Sequence, residues 1–280
     1  MEFSLRKDIA LAMDCLGLTE EQLCQRIGMS RSGLALVLKG ELKSPAVMEA
    51  FYAFAYDAGL RINRSNEEVM RELYADGLLF HGSREGLGEI TCRGSRPDCD
   101  FGAGFYLGES YDQAASFVCD APKGSVYAFF LADPPLSVAT FACDLEWMLA
   151  VCYFRGRLRG HADHPSLRPI IDKVEGADVI KAPIADNRMF QVMRQFGEGD
   201  ITTAEALHAL SASSLGEQTV LKTEKAVRAL IPLAHLYLSV PERRRFLASG
   251  EERAKEIDTK LKMAKREFRN EGKYIDELFQ

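Results

Sequence analysis

The chain has 280 residues, 47% hydrophobic and 27% charged, with a formal charge of −6. A chain of this length buries roughly three-quarters of its unfolded surface, as one large domain or two modest ones, and needs no staples. The acidic balance argues against a protein whose whole surface grips nucleic acid, and no run approaches the ~20 apolar residues that span a bilayer.

The N-terminal stretch Met1 to Asp8 lacks an apolar signal core and a small-residue cleavage site. Cysteines stand at 15, 24, 92, 99, 119, 143 and 152, with no Cys-x-x-Cys pair. That spacing points away from zinc and redox motifs and towards reduced thiols in a cytoplasmic protein.

Residues 1–64 read as a small all-helical domain. Leu5, Ile9, Leu11, Met13 and Leu16 suit an amphipathic helix ending at Gly17. Thr19 caps a second helix, with Gln22 at the capping-box position, running to Ile27. Gly28-Met29-Ser30 makes a tight turn, a third helix follows to Gly40, and a fourth runs from Ser44-Pro45 to Ala58. Short helix, tight turn, short helix is the helix-turn-helix pattern, and Leu18 to Gly40 resembles the phage-repressor class of such domains. Ser30, Arg31 and Ser32 are the expected DNA contacts, with Lys39 and Lys43 within reach of the backbone. Residues 1–64 hold as many acids as bases, so DNA contact and a helical module for dimerisation or partner docking both stay open.

Residues 65–240 change texture. Short β-rich runs at 78–80, 126–131, 179–184, 219–221 and 233–240 alternate with glycine-rich loops, and helices are expected at 67–75, 110–119, 142–154, 187–196 and 203–212. There is no regular strand–helix beat and no G-x-G-x-x-G at a strand-to-helix turn, which excludes a Rossmann domain. A mostly antiparallel α+β domain fits. Residues 241–280 carry eleven bases and nine acids and read as a charged C-terminal helix with a solvated face. His161 and His164 flank Ala162-Asp163 without a completing ligand, so a solvated loop is expected there and no metal site anywhere. His208, His235 and Trp147 lie in apolar patterns and read as packing residues.

Four segments carry the chemistry: Phe80-His81-Gly82-Ser83; Asp100-Phe101-Gly102-Ala103-Gly104-Phe105-Tyr106; Asp178-Val179-Ile180 leading to Ala185-Asp186-Asn187-Arg188; and Glu217-Gln218-Thr219-Val220-Leu221-Lys222-Thr223, followed by a helix from Lys225 to Leu230. In this order they resemble the ADP-ribosyltransferase superfamily, in its His-Tyr-Glu clade of diphtheria-toxin and poly-ADP-ribose-polymerase type. Within that superfamily they are most similar to bacterial domains met near toxin–antitoxin genes. The resemblance covers about 78 to 238. It implies a split antiparallel β-sandwich with NAD as substrate, held in a cleft between two sheets. The Gly82 backbone would bond the nicotinamide carboxamide, His81 the adenine-side ribose and Ser83 the amide or nearby ribose. Tyr106 would stack on the nicotinamide ring, Asp100, Gly102 and Gly104 would complete the NAD-binding residues, and His81, Tyr106 and Gln218 would be the catalytic ones.

The family places a glutamate where this chain has Gln218. A unit charge about 4 Å from a developing cation is worth on the order of 4 kcal/mol at an effective dielectric near 20, roughly a thousandfold in rate. Gln218 retains hydrogen bonding to ribose hydroxyls but not general-base chemistry. Glu217 faces the opposite side of a regular strand, which leaves Asp100 and Asp186 as the nearby acids. Two functions follow from the resemblance. One is a mono-ADP-ribosyltransferase acting on a protein or nucleic-acid acceptor, as a bacterial toxin or phage-conflict factor, with an antitoxin and a homodimer as expected partners. The alternative is a helix-turn-helix transcription regulator whose catalytically weak domain senses NAD or ADP-ribose.

Overall fold

A computed structural model describes residues 5–41, 44–132, 135–184, 187–211, 216–269 and 271–280. Lys43 and Asp186 fall outside them. Five helices open the chain: α1 (Leu5–Leu16), α2 (Glu20–Ile27), α3 (Arg31–Leu38), α4 (Pro45–Asp57) and α5 (Ile62–Tyr74). Next come β1 (Leu78–Ser83), β2 (Phe105–Gly108), α6 (Tyr111–Val118), β3 (Ser125–Leu131), β4 (Val138–Thr140), α7 (Leu145–Phe154) and α8 (Arg168–Glu175). The remainder is β5 (Val179–Pro183), α9 (Asn187–Gly197), α10 (Thr203–Ser211), β6 (Glu217–Leu221), α11 (Glu224–Arg228), β7 (Leu230–Tyr237) and α12 (Val240–Glu267). The described residues thus make an α+β protein, and none of their helices is long and apolar enough to cross a membrane.

The chain divides into two compact units. The first comprises Met1–Leu87, Ser110–Phe130 and Pro232–Ala248. In it α1 to α4 bury Ile9, Ala12, Leu23, Leu34, Phe51 and Ala55 around a core that Ile62 of α5 completes. The expected capping box is present: the Thr19 hydroxyl accepts from Gln22 N, and the Gln22 side chain accepts from Thr19 N. β1 and β3 run antiparallel with Leu78 opposite Phe130 and His81 opposite Tyr127. A second core packs Leu78, Phe80, Val126 and Ala128 against Tyr111, Ala115 and Val118 of α6. Alternation then turns His81 and Ser83, with Leu79, to the opposite face from α6.

The second unit comprises Gly88–Glu109, Leu131–Ile231 and Ser249–Gln280. Its strands lie in the order β4-β5-β6-β2. β6 is antiparallel to both β2 and β5, while β4 and β5 are parallel. The parallel pair departs from the antiparallel expectation. The chain between those two strands passes through α7 and α8, a crossover long enough to return in the same direction. α7 runs through the middle of this unit with Trp147, Met148, Leu149, Ala150, Val151 and Cys152 all buried. Tyr106, Val220 and Ile180 lie in one cross-strand row on the face this core covers.

Candidate functional site

The first unit carries His81, Gly82 and Ser83 at the end of β1. A Cβ built on Gly82 would lie 2.5 Å from the Ala114 carbonyl oxygen and 3.0 Å from Val118 Cγ1. Close packing of β1 on α6 therefore demands glycine at 82 whatever else that backbone does. Beyond the strand the chain turns tightly. Ser83 Oγ donates to Gly86 O (2.5 Å), and Leu87 N donates to the hydroxyl of Tyr127 (3.1 Å). Tyr127, the cross-strand partner of His81, stacks on His235 at 4.3 Å between ring centroids. Burial pushes the His235 imidazole down to about 4, so it is neutral at physiological pH. Tyr127 and His235 are not among the residues the sequence singles out as chemical. They come from strands far apart in the chain, and no local spacing links them to His81.

The second unit carries the rest: Asp100, Gly102, Gly104, Tyr106 and Gln218. Gly102 has φ +73°, and a Cβ there would lie 3.2 Å from the Phe154 ring. At Gly104 a Cβ would lie 2.6 Å from Val220 Cγ1. Both glycines thus have a local reason, a left-handed turn and a close approach to β6. The loop they form is pinned from several sides. The Tyr106 hydroxyl donates to Gly102 O (2.7 Å) and accepts from Phe101 N (3.1 Å). Ser95 Oγ accepts from Gly104 N (3.0 Å), and Lys222 Nζ donates to Phe101 O and to Ala103 O (2.7 Å). Burial raises the Tyr106 phenol and lowers the Lys222 ammonium from their ordinary values. These two bonds anchor the far end of the Tyr106 side chain to the loop.

Asp100 and Gln218 meet directly, although 118 positions separate them. Gln218 Nε2 donates to Asp100 Oδ2 (3.0 Å) and to Pro183 O (2.9 Å). Arg155, at the end of α7, donates to Asp100 Oδ1 from Nε (2.7 Å) and approaches it with Nη2 (2.6 Å). The guanidinium lies over the Phe190 ring, 3.9 Å from its centroid. Asp100 and Gln218 are both buried, and Arg155 is largely so. The outcome is a carboxylate neutralised by one arginine and bonded to one amide. Glu217 is exposed and sits on the other face of β6.

Two other groups have structural partners. Asp178 accepts from Thr223 Oγ1 (2.7 Å) and from Ser137 N (3.0 Å), tying β5 to α11 and to the approach to β4. The Thr223 bond, foremost, holds its carboxyl down to about 2. His161 is exposed and His164 half-buried in a polar segment, with a contact that the sequence does not suggest. Both rings pack on Phe279, with centroids at 4.5 and 5.1 Å. No group of three or more His, Cys, Asp or Glu side chains among the described residues could hold a metal ion.

In the helix-turn-helix segment, Ser30 Oγ accepts from Gly33 N (3.1 Å) and contacts Ser32 Oγ (3.2 Å), so that hydroxyl caps α3. Arg31 is exposed, 4.0 Å from Glu20.

Comparison with known proteins gives one positive finding. A family model described as a protein of unknown function, DUF3990, matches residues 78–231, from the first residue of β1 into β7. No curated protein and no solved structure matches the chain. With more than half of its 280 residues matched, the chain belongs to the DUF3990 family.

Proposed function

We propose that this protein is an NAD-dependent mono-ADP-ribosyltransferase that transfers ADP-ribose to a macromolecular acceptor and releases nicotinamide. The glycosidic bond between ribose and nicotinamide breaks, and its electron pair leaves with the nicotinamide. The acceptor nucleophile then attacks the anomeric carbon and gives up its proton. In this reading Gly82 binds the carboxamide through its backbone, while His81 and Ser83 bind ribose hydroxyls or the amide. Tyr106 stacks on the nicotinamide ring, and Gln218 accepts a hydrogen bond from the ribose beside the breaking bond. The setting is a cytoplasmic toxin or phage-conflict factor, with an antitoxin as its natural partner.

One observation carries the reading: the bond between Gln218 and Asp100 ties the late strand to the glycine-rich loop that anchors Tyr106. Two of the four segments of the ADP-ribosyltransferase resemblance therefore form a single polar unit that includes the anchored Tyr106 hydroxyl. The test is incubation of the purified chain with labelled NAD and cell extract. Label on a macromolecule together with an equal amount of free nicotinamide is the expected outcome. Absence of both from every lysate fraction overturns the proposal.

The neutral residue at 218 favours a second reading, a transcription regulator that senses NAD or ADP-ribose without turnover. Saturable NAD binding with no nicotinamide release, accompanied by an NAD-dependent change in affinity for its own promoter DNA, would select it.

A further inference from the structure

The geometry points to Asp100 as a positioning residue that fixes the Gln218 amide with its oxygen as the presented acceptor, and to Arg155 as the counter-charge that lets Asp100 do so while buried. The role in ribose binding rests on the NAD reading above; the orientation of the amide does not. A side-chain amide has two ends that differ only in which carries the protons, so its direction is settled by its neighbours. Both neighbours here are pure acceptors, the carboxylate oxygen Oδ2 of Asp100 at 3.0 Å and the carbonyl oxygen of Pro183 at 2.9 Å. Reversing the amide would set oxygen against oxygen at both contacts. The NH2 end is therefore the buried one, both of its N–H bonds are used, and Oε1 is the acceptor left to present.

The same surroundings explain why residue 218 is not an acid. A glutamate there would lose both donated bonds and bring a second carboxyl within hydrogen-bond reach of Asp100. Two such groups at that distance do not both ionise. With Asp100 in place, glutamine is the residue this pocket of polar groups selects. The negative charge lies one residue further back, balanced by Arg155, whose Nε lies 2.7 Å from the carboxylate.

Three variants test this: Gln218→Glu, Asp100→Asn, and the two combined. Unfolding is followed from pH 5 to 8, and NAD turnover is measured alongside. Gln218→Glu alone is expected to lose at least tenfold in turnover and to become less stable as pH rises, because its new carboxyl is held protonated in the folded state above its ordinary value near 4.3. Adding Asp100→Asn supplies an amide N–H donor to the introduced carboxyl, removes that pH slope and recovers turnover at least threefold over either single variant. A Gln218→Glu protein with wild-type stability, an unchanged pH profile and faster turnover would overturn the assignment, as would strictly multiplicative effects in the double variant. Should Gln218→Glu fail to fold, hydrogen exchange of the Gln218 side-chain amide in the wild type decides. Slow exchange that becomes fast in Asp100→Asn supports it, and exchange as rapid as that of an exposed glutamine contradicts it. If the pH slopes behave as stated but no form turns over NAD, the transferase reading falls and the positioning assignment stands.

Discussion

In the first unit Glu242, in the opening turn of α12, is buried among neutral partners. Asn63 Nδ2 donates to its Oε2 (3.1 Å), and the Tyr111 hydroxyl bonds it as well. In the second unit Asp100 is buried to the same extent, 6% exposed like Glu242, but against the guanidinium of Arg155. Equal burial with different partners separates two effects that usually travel together. With no ion pair to it among the described residues, burial foremost pushes the Glu242 carboxyl up to about 7. Asp100 has a cation in contact and accepts a hydrogen bond from Gln218. The first carboxyl is therefore expected to respond to physiological pH, whereas the second is built to hold an amide still.

The comparison breaks most visibly at Arg155. Arg155→Met strands the Asp100 carboxylate in the interior and is expected to cost about 3–5 kcal/mol of stability by urea unfolding, with Asp100→Asn in the same chain restoring part of it. A loss under about 1 kcal/mol, the range of an exposed pair, would mean that the ion pair does not govern Asp100.

The next effect concerns Glu242. Its folded-state value is raised above the unfolded one, so its contribution to stability is complete below about pH 4.5 and is lost as pH rises through about 7. The difference between pH 5 and 8 is on the order of 2–3 kcal/mol. Glu242→Gln is expected to flatten that slope, as read from unfolding midpoints across the range, and an undiminished slope would place its origin elsewhere.

Smaller still is Tyr111→Phe, which removes one bond to the carboxyl at a cost of about 1–2 kcal/mol. Since that bond lowers the Glu242 value, its removal shifts the loss of stability to higher pH. A shift to lower pH would contradict the account of how Glu242 is held.

What is legible in the sequence is what is local. The Thr19 capping box, the helices at α1 to α4 and the apolar runs that become β1, β5 and β6 are short-range patterns, and each forms where its residues predict. β4 spans three residues, Val138 to Thr140, too few to display a period of two, and its parallel pairing depends on a crossover. The resemblance gives the glycines at 82 and 104 a place in the NAD site, and the fold adds a packing reason no sequence pattern shows, since α6 and β6 fill the space where a Cβ would stand. The Asp100–Gln218–Arg155 cluster joins residues 55 and 118 positions apart, so no spacing rule reaches it. The departure at Gln218 is visible as an exception, but its reason, a carboxylate and a carbonyl waiting for two N–H donors, exists only once the chain has folded.

A crystal structure of the chain with NAD bound tests the central claim most directly. The account predicts Gln218 Oε1 within hydrogen-bond distance of a hydroxyl on the nicotinamide-side ribose, with Nε2 still donating to Asp100 and Pro183. A dinucleotide whose ribose is met by the carboxylate of Glu217 or Asp100, with Gln218 turned away, would contradict it.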